Sequence, residues 1–242
     1  MHRARKRTLW LLLALLLAGL AGAVLWQISR ARCFSLVGKA ICHVETTRPL
    51  VALSFDDGPS ALGIDAILPA LAAHDAHATF FLIGQEIKQR PDLARRLLAT
   101  GNEIANHSYS HQRMVGHTMA FYRDEITRTD ALLRQAGAHP RLFRPPYGKK
   151  LTGLPSALQE AGYAMVLWDV EDPRTDDPEA FAREVVAKAR PGSIILLHAM
   201  YRSNETARNA LPLILDGLAS KGLKVVTVSA LLQRSQIAET RS

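Results

Sequence analysis

The chain has 242 residues, 48% of them apolar and 21% charged, which is globular composition and excludes a disordered or fibrous protein. Its net charge of +8 suggests a polyanionic partner, but residues 1–32 hold six basic groups and no acid, leaving 24 basic against 22 acidic groups elsewhere. A nearly neutral body leaves no footprint for nucleic acid.

The first element accounts for the charge. "MHRARKR" precedes Leu9 to Trp26, 18 residues without a polar side chain apart from the indole N–H groups of Trp10 and Trp26. A helix of that length rises roughly 27 Å, close to the thickness of a bilayer core. Trp10 and Trp26 sit at its two ends, where interfacial aromatics collect. The competing reading is a signal peptide cleaved near Ala21–Ala23, "AGA", although Val24, Leu25 and Trp26 continue the apolar run beyond it. The basic flank before the segment outweighs Arg30 and Arg32 after it. This predicts a single-pass anchor with the body on the extracytoplasmic side. Cys33 and Cys42 then either close a small loop in an oxidising compartment or remain thiols; neither has a partner at zinc-finger spacing.

Beyond a polar joint at His43 to Arg48, β-prone stretches fall at 50–55, 78–83, 141–143, 163–168, 193–197 and 223–227, with a weaker one at 102–105. Helical patterns lie between them. Ile64, Ile67, Leu68 and Leu71 form one apolar stripe, Pro91-Asp92 opens another helix, and Leu211, Ile214, Leu215 and Leu218 form a stripe closed by Gly222. Strand–helix alternation predicts an α/β fold with a parallel sheet and helical crossovers, closed as a barrel or open and doubly wound.

Polar groups gather where the strands end. Asp56 and Asp57, in "LSFDDGPS", follow the first stretch. His107 and His111, in "NHSYSH", follow the third. "RPPYG", Arg144 to Gly148, follows the fourth, Asp169 in "LWDVED" the fifth, and His198 in "IILLHAMY" the sixth. Parallel α/β folds build their sites at the C-terminal ends of strands.

Two adjacent carboxylates repel, and one is driven toward protonation unless a cation neutralises it. One carboxylate with two imidazoles is a ligand set for zinc or a related divalent ion. Asp57 could ligate such an ion, with Asp56 as a base and Arg144 as a second positive charge beside it. The His-x-x-x-His spacing predicts both imidazoles on one face of a helical turn. His198, at the end of an apolar strand, is a candidate general acid. The turn Pro145 to Gly148 could offer a backbone N–H to an oxyanion. No G-x-S-x-G occurs, which disfavours a serine hydrolase.

In this order, "SFDDGP", "HSYSH", "RPPYG" and "IILLH" resemble the polysaccharide deacetylase family with the NodB-type domain, carbohydrate esterase family 4. The resemblance runs from about Pro49 to Leu232. It implies a distorted (β/α) barrel over 49–242, preceded by the anchor at 1–32 and a juxtamembrane linker at 33–48. It also implies removal of N-acetyl, or sometimes O-acetyl, groups from a polysaccharide with a divalent metal, most often zinc. By position, Asp56 matches the base, and Asp57, His107 and His111 match the metal ligands. Arg144 matches the brace of the base, Tyr147 supplies the oxyanion N–H, and His198 matches the general acid. Two departures stand out. Ala199 follows His198 where the family commonly has Asp, and "WDVEDPRT" lacks the usual Asp-Trp. Asp169, nearest the strand end, is expected to orient His198. The alternatives are an O-acetyl esterase using the same residues and a tethered glycan-binding protein with little turnover. The expected partners are an N-acetylated glycan (of peptidoglycan, chitin or exopolysaccharide type) and a membrane through residues 9–26.

Overall fold

The computed structural model describes residues 2–239. The apolar N-terminal run folds as one helix, α1 (His2–Arg30). Within it Leu9–Arg30 is long and apolar enough to cross a bilayer, and its most apolar window is not buried by the rest of the protein. A short strand follows, β1 (Ala40–Ile41), and then β2 (Leu50–Asp56), which is buried at every position. The chain then alternates through α2 (Ala61–Ala73), β3 (Thr79–Leu82), α3 (Gly84–Gln89), α4 (Pro91–Ala99), β4 (Glu103–Asn106), α5 (Met119–Gln135) and β5 (Leu142–Phe143). It continues through α6 (Gly153–Glu160), β6 (Ala164–Val166), α7 (Pro178–Lys188), β7 (Ile194–His198), α8 (Glu205–Ser220), β8 (Lys224–Val226) and α9 (Val228–Glu239).

All strand pairs are parallel, in the order β1-β6-β5-β4-β3-β2-β7, with β8 also on β2. β8 pairs Leu50–Ala52, and β3 pairs Ser54–Asp56. The chain beyond β6 returns to the far edge of β7 through a parallel bridge from Val170 to Ile195. The sheet thereby curls into a distorted barrel, so of the two sequence-based alternatives the closed one holds.

Strand parity separates the two cores. Successive side chains on a strand point to opposite faces. Val51, Leu53 and Phe55 of β2, with Ile195 and Leu197 of β7, pack outward into one cluster with α2, α7 and α8. Leu50, Ala52, Phe81, Ala105, Phe143, Ile194 and Leu196 fill the other cluster, within the barrel. The same parity carries Asp56 and His198 inward, and these two are direct partners in the β2–β7 register. Uniform strand direction places every strand's C-terminal end on one rim, so Asp56, His107, Arg144 and His198 converge there.

Residues 33–48, expected as a linker, contribute an edge strand to the sheet. Ala40 and Ile41 pair with Met165 and Val166 of β6, and the Val44 N–H donates to the Gly192 carbonyl at 2.9 Å. Cys33 and Cys42 are joined by a disulfide. A two-residue strand has too little pattern to read from sequence, because its pairing is supplied by β6.

Candidate active site

At the centre of the rim Asp56 is 2% exposed. Its Oδ1 accepts from the Arg144 Nη1 at 2.6 Å, and Arg144 itself is fully buried, its Nη2 donating to the Leu167 carbonyl at 3.2 Å. The guanidinium lies over the Phe81 ring, 4.0 Å from its centroid. Burial alone favours a protonated Asp56, but Arg144, His107 and His198 outweigh it and hold the carboxyl below its ordinary value.

Asp57 turns the other way because its backbone is left-handed, with φ of 74°. Ser108, His111 and Tyr147 also have positive φ, at 65°, 57° and 57°, so among the described residues four of the five non-glycine positions with positive φ lie at the rim. Each such conformation costs on the order of 1–3 kcal/mol and persists only where surrounding contacts impose it. Backbone strain is therefore concentrated where the polar side chains meet.

Those contacts are identifiable around the histidines. His107 Nδ1 donates to the Arg144 carbonyl at 2.7 Å, which leaves Nε2 as the free lone pair. Between His107 and His111 the chain is an irregular loop and not the predicted helical turn. Glu125 on α5, 3% exposed, ties that loop down: it accepts from the N–H groups of Tyr109 and Ser110, each at 2.9 Å, and from the Ser110 hydroxyl at 2.7 Å. The Ser108 hydroxyl accepts from the His111 N–H at 3.1 Å. Tyr147 closes the rim, its ring 4.8 Å from that of His111.

Asp57, His107 and His111 present ligand atoms that all lie within 4.8 Å of one another. Asp57 Oδ1 is 3.3 Å from His111 Nε2 and 3.8 Å from His107 Nε2, and it is buried without a hydrogen-bond partner. Burial first, and then the charge of Asp56, raise the Asp57 carboxyl to about 6. Burial pushes His107 down to about 4, and His111 is lowered for the same reason. An orphaned carboxylate oxygen facing two neutral imidazoles fits a divalent cation, which needs unprotonated ligands and supplies the missing charge.

His198 stands across from this cluster. Its Nδ1 is 2.5 Å from Asp172 Oδ2, and its backbone N–H donates to the same carboxylate at 3.1 Å. Burial pulls the imidazole down, but the Asp172 hydrogen bond and the charges of Asp56, Asp172 and Asp57 raise it to about 9. His198 is thus held as a cation with Nε2 available.

A family model for polysaccharide deacetylases matches residues 43–166, over half of the chain.

The chain belongs to this family.

It is 34% identical over 190 residues to a peptidoglycan-N-acetylglucosamine deacetylase of Bacillus cereus, covering 77% of this chain and 69% of that one. It is also 34% identical over 191 residues to the peptidoglycan-N-acetylmuramic acid deacetylase PdaC of Bacillus subtilis, where the match spans 78% of this chain but 40% of the relative. Among solved structures, the Bc1960 peptidoglycan N-acetylglucosamine deacetylase superposes with a TM-score of 0.75 at 30% identity, over 79% of this chain and 91% of that one. BA3943 from Bacillus anthracis, a pseudoenzyme of carbohydrate esterase family 4, superposes nearly as well, with a TM-score of 0.74 at 26% identity over 79% and 68% of the two chains. Architecture alone therefore does not separate turnover from its loss in this family; the rim residues must be judged one by one.

Judged so, the structure gathers Asp56, Asp57, His107, His111, Arg144, Tyr147 and His198 on one rim and leaves out Asp169. The carboxylate on His198 is Asp172. Asp169 Oδ2 lies 3.1 Å from His43 Nδ1 and accepts from the Ser193 hydroxyl at 2.9 Å, while Oδ1 accepts from the Ile194 N–H at 2.9 Å. The reason is geometric. After β6 the chain stays extended beside β7, so Asp169 meets the start of β7 and Asp172 meets its end. Three extended residues span about 10 Å, the distance that separates the two roles. Glu125 was also missed, since an acid inside an amphipathic helix carries no mark of its loop partner.

Proposed function

We propose that this deacetylase hydrolyses N-acetyl groups of an N-acetylated cell-envelope glycan, on the extracytoplasmic face of a membrane that α1 spans. The observation that supports this most is the orphaned Asp57 Oδ1 between His107 and His111, flanked by Asp56–Arg144 on one side and His198–Asp172 on the other. Asp57, His107 and His111 would hold a divalent ion, and their two nitrogens and one oxygen suit zinc. When bound, the ion supplies Lewis-acid polarisation of the acetyl carbonyl and lowers the pKa of water.

The remaining steps belong to the chain. Asp56 takes the proton that the attacking water loses, and Arg144 keeps it ionised beforehand. The Tyr147 backbone N–H faces the oxygen that gains charge as water adds to the carbonyl carbon. His198 delivers its Nε2 proton to the sugar nitrogen while the C–N bond breaks, and Asp172 stabilises the imidazolium until then. Water and amide become acetate and amine, and the proton held on Asp56 returns to solvent or to His198.

Acetate release from matched N-acetylated and O-acetylated glycans, before and after chelation and with metal restored, tests the reading. N-acetyl turnover that chelation abolishes and zinc restores supports it. Turnover confined to O-acetyl esters, or unaffected by chelation, overturns it.

A further inference from the structure

The end of α1 does not swing free of the catalytic body. The Lys150 N–H donates to the Ser29 carbonyl at 3.0 Å, and Lys150 Nζ donates to the Ala31 carbonyl. Lys149 Nζ lies 3.8 Å from the Trp26 ring centroid. Arg32 pairs with Glu171, whose other oxygen accepts from the Trp168 indole at 2.8 Å. The Pro146–Gly148 turn that bears Tyr147 is therefore only one side chain away from Trp26, the aromatic at the bilayer boundary.

Between these parts lies a cleft of about 360 Å³, lined by Trp26, Tyr147, the cations Arg30, Arg32, Arg113 and Lys149, and one acid, Glu171, which pairs with Arg32. Four cations from three separate segments converge on it, and among the described residues only Arg32 of the four has a carboxylate partner. Arg113 stacks on the Tyr147 ring, 5.2 Å from its centroid. Lys149 is pushed below its ordinary value by burial and by the charges of Arg30 and Arg113. Glu171 neutralises Arg32, and the charges of Arg30, Arg113 and Lys149 still oppose one another unless a further anion lies between them. At the height of an interfacial Trp the anions at hand are phosphates.

We infer that this cleft is a phosphate-binding site at the bilayer surface, and that the glycan reaches the catalytic rim while still attached to a lipid phosphate carrier. The cleft shares Tyr147 with the rim, so a phosphate held there places the attached sugars at Asp56 and His198 without the glycan leaving the membrane. The inference rests on the deacetylase reading above and on α1 remaining in the bilayer.

The test uses the full chain in phosphatidylcholine vesicles with two substrates: an N-acetylglucosamine oligosaccharide free in solution, and the same oligosaccharide on a polyprenyl diphosphate. The expected kcat/KM ratio, linked over free, is at least about tenfold, the effect of one charge-assisted contact. Arg30→Glu should bring the ratio down toward one, and Arg30→Lys should keep most of it. A wild-type ratio near one with the free substrate turned over overturns the inference and leaves the deacetylase reading standing. No turnover of either substrate overturns both. If added phosphatidylglycerol speeds the free substrate and abolishes the preference, the cleft serves ordinary headgroups and the carrier assignment fails.

Discussion

Asp56 and His198 are register partners on neighbouring strands, yet their surroundings differ sharply. The Asp56 side chain is 3% exposed and fixed by a guanidinium that is itself wholly buried. The His198 side chain is 39% exposed and held by one carboxylate on an extended segment. The first arrangement fixes the resting charge state, and removing Arg144 would strip a buried carboxylate of its hydrogen-bonded counter-charge. The second leaves a titration within reach of solvent and of a single partner. A base that must be ionised when the water arrives belongs in the first setting, and an acid that must begin the cycle protonated belongs in the second.

The sharpest way to break this comparison is Asp56→Asn, which keeps the shape and removes basicity. Turnover should fall by roughly 10²–10⁴-fold, while elemental analysis finds the metal content unchanged. If this variant loses metal, the adjacent aspartates have been assigned the wrong way round. Asp57→Asn should instead lower metal content at a fixed ion concentration and recover part of its activity when metal is added. Full metal occupancy in this variant would remove Asp57 from the ligand set.

His198→Ala should keep the metal and lose roughly 10²-fold or more on amides. Esters should suffer less, since an alkoxide leaves with less help than an amine anion; equal losses on both would argue against proton delivery by His198. Asp172→Asn probes the same half more gently. Because the folded imidazole titrates near 9, above its unfolded value of 6.5, its contribution to stability is full below pH 6.5 and is lost as pH rises through about 9. An NMR titration of the metal-free protein should place His198 near 9 and move it downward in Asp172→Asn. The alkaline limb of activity should move in the same direction, with rescue by Asp172→Glu. The smallest effect is expected from Asp169→Asn. Its bonds to Ser193 and Ile194 stabilise the start of β7, so about 1–2 kcal/mol of stability should go while the His198 titration stays in place. A shifted titration would return Asp169 to the role that its position in the sequence suggested.

The sequence by itself determined seven of the eight strands among the described residues, their common parallel direction and the rim residues other than Asp172. Each rim residue sits within a residue or two of an apolar run, and a parallel sheet turns every such end to one side. Strand parity, also a local property, points Asp56 and His198 inward together. Only the tertiary structure decided between Asp169 and Asp172, because the choice depends on β7 lying beside the segment after β6, and no residue in "WDVEDP" encodes that neighbour. Glu125 is of the same kind, a partner brought to the His107–His111 loop across 15 and 16 positions of sequence. The union of α1's end with Lys149 and Lys150 was equally hidden: a stretch that reads as a tether acquires its place from the surface it packs against, since packing and pairing are properties of two segments and composition describes one at a time.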